Sequence, residues 1–132
     1  ALREWLGEEM AVHPELALLG DYNIAPEDRD VHDPVEWAGQ IHCSERERAA
    51  LTGIAALGLT DAFRLFEQPE KSYSWWDYRM MGFRRNRGLR IDHILLSQAL
   101  AARCSACEID REPRKWEQPS DHAPVTATLR EA

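Results

Sequence analysis

One acidic residue interrupts a segment that otherwise predicts a buried β-strand. Residues 89–96 are mostly apolar, yet Asp92 lies among them. A carboxylate buried in a strand without a partner would be very costly, so the fold must bring a partner to it. His122 is the obvious candidate, because an aspartate paired with a histidine fixes the imidazole tautomer and raises its pKa.

Helical and strand-like patterns alternate along the chain and predict a mixed α and β fold. We expect helices over residues 2–10, 35–38, 45–57, 61–66 and 99–103, and strands over residues 15–19, 73–78, 89–96, 105–110 and 123–129. The first strand is expected to be buried and to end at Gly20, where a loop begins. Ser44 and Glu47 form a capping-box pattern, and Gly58 is the natural end of the helix that follows it. No repeat or linker divides the sequence, so we expect a single domain over residues 1–132.

The composition excludes several classes of protein. No apolar run reaches the ~18 to 20 residues of a membrane-spanning helix, and the charged first ten residues do not suit a signal peptide. Three cysteines are too few for a secreted disulfide scaffold, so we expect reduced thiols and a cytoplasmic location. The net charge of -7 argues against a phosphate-rich partner for the chain as a whole. Residues 79–90 are a local exception, because they contain five arginines and no acid and could meet a phosphate backbone.

Polar side chains that could carry chemistry follow the first predicted strand and precede the last one. Asp21 and Asn23 come after the first strand, and Asp121 and His122 come before the last. An Asp-x-Asn pattern at a strand end is more often an Asx turn than a catalytic pair. Together with Asp92, however, these residues form the set of carboxylates, amide and imidazole that hard divalent cations and phosphate esters require. Metal-assisted phosphoester hydrolysis is therefore one hypothesis for the function.

Four segments of the sequence occur in an order that points to one family. They are GDYNI at 20–24, YSWWDYR at 73–79, the stretch from GF to NRGLRID at 82–92, and PSDHAPV at 119–125. In these segments the chain resembles the exonuclease III type of abasic-site endonucleases, within the endonuclease, exonuclease and phosphatase superfamily. The first and last segments alone would indicate only the superfamily, whereas the tract over 73–92 favours the exonuclease III branch.

The resemblance implies an activity, a cofactor and residue roles. The implied activity is metal-dependent hydrolysis of phosphodiester bonds in DNA repair, as a 3′–5′ exonuclease and an abasic-site endonuclease. The implied cofactor is Mg²⁺ or Mn²⁺, and the implied partner is double-stranded DNA with abasic sites or 3′ ends. Trp75 and Leu89 would help to line a pocket for an extruded sugar or nucleotide. The residues implied are, as catalytic groups, Asp21, Asn23, Asp92 and His122; as metal ligands, Asp121, Asp21 and Asn23; and as DNA contacts, Trp75, Leu89, Arg79, Arg84, Arg85, Arg87 and Arg90.

The resemblance covers only the C-terminal half of the family's fold. That fold is a four-layered sandwich of two sheets with helices outside, and this chain matches one half of it, an α+β unit of one mixed β-sheet with flanking helices. The first half of the family's members supplies a Glu that is the main metal ligand, and no segment here matches it. We therefore expect an exposed apolar sheet face that packs against a missing N-terminal half or against a second copy of the chain.

Three alternatives stay open. A phosphatase or phosphodiesterase of the same superfamily, acting on inositol phosphates or sphingolipids, shares the first and last of the four segments. A half domain without the main metal ligand could bind DNA or a partner half with no catalysis. Cys104-x-x-Cys107 together with His42 and Cys43 could form a structural zinc site, although one C-x-x-C pattern is weak evidence and thiols in strands are more often core residues.

Overall fold

The described part of the chain contains four α-helices, seven strands and short 3-10 helices at Asp28–Asp30, Ala62–Leu65 and Glu112–Lys115. The structure is a computed structural model that describes residues 2–78, 81–117 and 119–131. The helices are α1 (Leu2–Val12), α2 (Pro34–Trp37), α3 (Glu45–Ala55) and α4 (Gln98–Ala101). The strands are β1 (Ala17–Asp21), β2 (Leu59–Asp61), β3 (Trp75–Trp76), β4 (Gly88–Leu89), β5 (Asp92–Ser97), β6 (Cys104–Ile109) and β7 (Val125–Leu129). None of the described helices combines the length and the apolar character needed to cross a membrane.

The strands form three small antiparallel sheets within the described residues. One sheet has the order β1-β5-β2, a second pairs β3 with β4, and a third pairs β6 with β7. The predicted α+β class is confirmed, but the prediction of one mixed sheet is wrong. The reason lies at residues 90 and 91, where the backbone bonds to loops instead of strands: Arg90 N–H donates to the carbonyl of Asp30, and Ile91 C=O accepts from the amide of Tyr22. The predicted strand over 89–96 is thereby divided between two sheets.

Strand β5 is the centre of the core because it is covered on both faces. Ile94 and Leu96 face a cluster that includes the two cysteines of β6 and Phe63, which lies in the 3-10 turn after β2. Leu95 points the other way and packs with Leu6 of α1 and with α3. The period-2 alternation of a strand thus feeds two apolar layers from one segment.

Strand β1 is an edge strand, and the prediction that it is buried is wrong. Among the described strands it pairs only with β5, and most of its residues are exposed. Leu19 lies opposite Ile94 and is 65% exposed. Because paired residues share a sheet face, the apolar face that β6 and β7 cover at β5 continues uncovered at β1. The strand also extends through Asp21, which the sequence placed in the following loop.

Helix α3 begins as its sequence predicts. The Ser44 hydroxyl accepts from the amide of Glu47, whose carboxylate bonds back to the amide of Ser44. The α-helix ends at Ala55, two residues before the predicted end, and the chain turns at Gly58, whose φ of +107° favours glycine.

A buried ion network joins Asp30, in the 3-10 turn between β1 and α2, to Arg64 after β2 and to Arg90 just before β5. Asp30 is fully buried and accepts from Arg90 Nε at 2.7 Å and from Arg64 Nη2. Burial alone would raise the pKa of Asp30, but Arg90 and Arg64 outweigh it and hold that pKa below the ordinary value. The carboxylate is therefore ionised in the folded protein, and Arg90 is matched to it.

Replacing Asp30 by Asn is expected to lower the free energy of unfolding by about 3 kcal/mol, because the buried Arg90 guanidinium would lose a charged partner. Urea denaturation of the two proteins measures the difference. Asp28→Asn is the matched control, since its ion pair with Arg48 at 3.0 Å is largely exposed and should contribute less than about 1 kcal/mol. Equal losses for the two variants would contradict a special contribution of the buried pair.

Candidate functional site

Three elements bring the predicted polar residues together. Asp21 ends β1 and Asp92 begins β5, and the two residues are directly paired across the sheet. His122 joins them because its backbone forms an isolated bridge with Trp75 of β3. One ligand atom from each of Asp21, Asp92 and His122 can be chosen so that all three lie within 4.8 Å of one another.

His122 is the partner of Asp92, as the sequence predicts. The His122 Nδ1 donates to Asp92 Oδ2 at 2.8 Å, which leaves Nε2 facing Asp21 Oδ2 at 3.6 Å. Burial lowers the pKa of His122, but the hydrogen bond and charge of Asp92, with the charges of Asp21 and Asp121, raise it above its ordinary value. The imidazole therefore keeps its proton to a higher pH than a free histidine does.

Asp92 sits in a drier position than the other acids of the site. Burial raises the pKa of Asp92, and hydrogen bonds to His122 and Ser74 offset part of that effect. Ser74 Oγ accepts from the amides of Ile91 and Asp92, both at 3.1 Å, and its carbonyl accepts from the amide of Ala123 at 2.7 Å. Ser74 thus joins the start of β5 to the His122 segment. This role of Ser74 has no signal in the sequence, because a serine in an aromatic strand resembles any surface position.

Asp121 is oriented by the indole of Trp75. Trp75 Nε1 donates to Asp121 Oδ2 at 3.0 Å, and the other carboxylate oxygen lies 3.8 Å from His122 Nε2. Trp75 also lines a cleft of about 370 Å³ with Trp37 and Arg87. It therefore contacts both Asp121 and this cleft. Leu89 pairs directly with Trp75 across β3 and β4 but is itself fully buried in a core cluster, so its place in the pocket stays a prediction.

The Asp-x-Asn segment is both an Asx turn and part of the site. Asn23 N–H donates to Asp21 Oδ1 at 2.9 Å, and Asn23 has a left-handed φ of +57°. Its carbonyl lies 2.6 Å from His42 Nδ1, which closes the turn from the other side. Because the turn uses only one oxygen of Asp21, the second oxygen remains directed at His122. The segment can therefore form an Asx turn and still contribute Asp21 to the site.

The five predicted DNA-contacting arginines have different environments. Arg84 and Arg85 are exposed, and Arg87 is partly exposed with its guanidinium 3.6 Å from Glu36. Arg90 is 1% exposed and bonded to buried acids, so its prediction as a DNA contact is wrong. A buried guanidinium that donates to both Asp30 and Asp61 is not available to a phosphate. Arg79 lies outside the described residues.

The group suited to a cation consists of the two acids of the sheet and the histidine. In the described ranges, Asp21, Asp92 and His122 form the cluster that could hold a metal ion. One nitrogen of His122 and one oxygen of Asp92 are already bonded to each other, whereas Asp21 and Asp121 each have an oxygen open toward the cluster. Oxygen donors of this kind fit a hard divalent cation, which binds to one or two carboxylates and completes its shell with water and substrate oxygens.

The cysteines do not take part in this cluster. Cys43 packs with Val31 and Ile91, whereas Cys104 and Cys107 pack in a separate cluster around Phe63. Burial raises the pKa of Cys107 to about 12, which keeps it a neutral thiol. The arrangement gives the zinc alternative no support.

Comparisons with known proteins agree on one family. The Endonuclease/Exonuclease/phosphatase family profile matches residues 11–122. Exodeoxyribonuclease III of Haemophilus influenzae is 40% identical over 136 residues, which cover 98% of this chain and 51% of the relative. A solved structure of the 3′ phosphatase NExo from Neisseria bound to product DNA hairpin is similar, with a TM-score of 0.96 and 48% identity over 99% of this chain and 51% of that one. An AP endonuclease from Archaeoglobus fulgidus is also similar, with a TM-score of 0.90 and 37% identity over 97% of this chain and 50% of that one. The chain spans about half the length of the relatives it matches.

Proposed function

Because this chain belongs to the endonuclease/exonuclease/phosphatase family, we propose that it supplies one half of a site that hydrolyses phosphoester bonds in DNA. The observation that carries the proposal is the contact of His122 with Asp92 at 2.8 Å, beside Asp21. A histidine held by a half-buried carboxylate, with a second carboxylate facing its other nitrogen, can donate a hydrogen bond to a reacting phosphate and stabilise the charge that develops on it.

The chain's own residues have distinct tasks in the proposed hydrolysis. Water oxygen forms a bond to phosphorus, the ester P–O bond breaks, and the leaving oxygen takes up a proton. Asp92 holds the His122 ring so that Nε2 can donate a hydrogen bond to a non-bridging phosphate oxygen, where charge accumulates. Asp21 Oδ2 is placed to accept the proton of the attacking water or to assist the leaving oxygen, and Asn23 would help to hold the phosphate.

A divalent cation, Mg²⁺ or Mn²⁺, is part of the proposal. Asp21, Asn23 and Asp121 would hold it, and His122 and Asp92 would remain a hydrogen-bonded pair. When bound, the cation would offset the negative charge that develops on the phosphate. The oxygen-rich donor set supports this assignment, because hard cations prefer carboxylate and amide oxygens to thiols.

The proposed substrate is double-stranded DNA with abasic sites or 3′ ends. Support comes from the names of the relatives, which include an exodeoxyribonuclease III, a 3′ phosphatase bound to product DNA and an AP endonuclease. Each of these names refers to a DNA substrate, an abasic site or a 3′ phosphate. The cleft beside Trp75 would accept the sugar or the terminal nucleotide once it leaves the base stack.

We further propose that residues 1–132 form one domain that pairs with a complementary half. Support comes from the open apolar face at β1, where Leu19 is exposed, and from the unpaired outer edges that β1 and β7 have among the described strands. Sheet faces and edges of this kind require cover in a stable protein. A second copy of the chain is the other candidate for that cover.

A nicking assay on a duplex with one stable abasic analogue tests the proposed function. It uses this polypeptide alone and with a matching first half from a relative, each with Mg²⁺ and with EDTA. We expect cleavage only with metal, and more of it with the added half. Duplex binding without cleavage in any arm would favour the non-catalytic alternative. Hydrolysis of a soluble inositol phosphate in preference to DNA would favour the phosphatase alternative.

The exposed arginines are proposed to contact the DNA backbone. Replacing Arg84 and Arg85 together by Ala is expected to weaken duplex binding equally across sequences and to reduce the slope of log K against log salt by up to about 2, because each lost phosphate contact changes it by about 1. Titrations at several salt concentrations give the slope. The same change at Arg3 and Arg46, which are exposed on α1 and α3, is the matched control. An unchanged slope for the Arg84/Arg85 variant would place these side chains away from the DNA.

A further inference from the structure

A second histidine lies beside the site but takes no part in the proposed chemistry. His93 follows Asp92 in β5, points to the opposite sheet face and is only 2% exposed. Its Nδ1 lies 3.2 Å from Arg90 Nη1, and its Nε2 lies 2.7 Å from the carbonyl oxygen of Ile24. A guanidinium can only donate, so Nδ1 accepts, and Nε2 must carry the hydrogen that Ile24 receives. The two contacts therefore fix a single tautomer.

The first of these contacts joins His93 to Arg90, whose guanidinium is held in place by two acids. Arg90 Nε donates to Asp30 at 2.7 Å, and Arg90 Nη2 donates to Asp61 at 2.7 Å. Asp30 itself is fully buried and also bonded to Arg64. A guanidinium held on two sides in this way has one orientation, so the imidazole bonded to it has one orientation as well.

The second contact joins His93 to the turn that carries Asp21. That turn runs from Asp21 to Ile24, with the Asn23 amide bonded to Asp21 Oδ1 at 2.9 Å. The His93 ring also meets the ring of Tyr22 edge-on at 5.4 Å. His93 therefore touches the turn at its second and its last residue, and both contacts come from the face opposite the polar cluster.

We propose that His93 is a positioning residue, which holds the turn over residues 21–24 so that Asp21 stays aligned with His122. The kinetic part of this inference rests on the proposed function. Asp21 Oδ2 lies 3.6 Å from His122 Nε2, and reacting groups at such distances tolerate little displacement. Outer hydrogen-bond partners of site residues have large effects for this reason.

Replacing His93 by Phe keeps a ring against Tyr22 but removes both hydrogen bonds. We expect kcat for DNA cleavage by the complete protein to fall by about 10- to 100-fold with KM for DNA unchanged. His93→Gln should stay within about 3-fold of the original kcat, because its amide can donate to Ile24 and accept from Arg90. Leu95→Val, on the same face of β5, is the control that reduces core packing without touching the turn. A kcat for His93→Phe equal to that of the control, or no recovery with Gln, would overturn the inference.

Nuclear magnetic resonance tests the same inference without any activity. We expect the ¹⁵N shifts of His93 to show a protonated Nε2 and a bare Nδ1, and the Asn23 amide to exchange faster with solvent in His93→Phe than in Leu95→Val. The opposite tautomer, or equal exchange in the two variants, would overturn the positioning role. A protein that cleaves no DNA but shows the expected shifts and exchange would remove the proposed function and leave His93 as the support of the turn.

Discussion

Replacing His122 by Ala is expected to lower kcat for DNA cleavage by about 10³-fold, with little change in affinity for DNA. The imidazole is fixed by Asp92 at 2.8 Å, and its free nitrogen faces the position where Asp21 and a phosphate would meet. A donor in that geometry acts on charge that develops during the reaction, so its loss affects the transition state more than the bound substrate. Single-turnover cleavage and equilibrium binding of an uncleavable duplex measure the two effects separately.

His13→Ala is the matched control for this experiment. His13 is mostly exposed at the end of α1, where it pairs loosely with Glu9, and its loss should leave both measurements unchanged. If the His122 variant instead lost binding by the same factor as turnover, the imidazole would be a binding group. In that case the function of the Asp92 contact would be to place a substrate ligand and not to assist the reaction.

Local sequence signals predicted four of the five expected helices well, whereas the helix expected over 61–66 is the end of β2 followed by a 3-10 helix at Ala62–Leu65. The capping box at Ser44 is formed as expected, because all of its atoms lie within four residues and no distant contact can alter it. The cost of a buried carboxylate also made His122 the candidate partner of Asp92 in the sequence, and the structure pairs the two. Arguments of this kind succeed when a residue's own chemistry leaves few solutions.

The failures have a common cause, which is partners far away in the chain. In the sequence, Arg90 resembles the other arginines of a basic loop. In the structure it bonds to Asp30 and Asp61, which lie 60 and 29 residues away in the chain. Backbone bonds of residues 90 and 91 to Asp30 and Tyr22 divide the strand over 89–96, and the side-chain network takes Arg90 away from any phosphate. A spacing pattern cannot reveal which of five arginines meets buried acids, so this part of the site required the structure.

Some contacts of the site gave no sequence signal. Ser74 binds two amides of the Asp92 segment, although its place in an aromatic stretch predicts only a strand, and Trp75 directs Asp121, although the resemblance implies only a pocket-lining role for it. Their roles follow from the bridge between β3 and the His122 segment. Two short segments that lie far apart in the sequence pair only once the core has assembled. The periodicity of either segment alone therefore does not predict the pairing.

Replacing Asp92 by Asn is expected to lower kcat by about 10²- to 10⁴-fold and to leave the protein at least as stable. Asparagine keeps the shape but removes the charge that fixes the His122 tautomer. It also removes a carboxylate whose pKa is raised by burial, and such a group stabilises the fold below its unfolded pKa and loses that contribution as pH rises through the folded value. Where Asp92 is ionised, its raised pKa means that the charged carboxylate costs stability, and Asn relieves that cost.

The pH profile separates this role of Asp92 from a purely structural one. Asp92 raises the pKa of His122, so activity that needs the imidazolium should persist above pH 6.5 and fall as pH rises through the raised value. In Asp92→Asn the falling limb should move to lower pH, while Glu108→Gln, an exposed acid on β6, should leave it in place. A variant that lost activity together with stability, with the limb unmoved, would show that Asp92 serves folding. Gain of stability with loss of turnover would instead show that the buried carboxylate is retained at a cost, because the reaction needs an oriented and protonated His122.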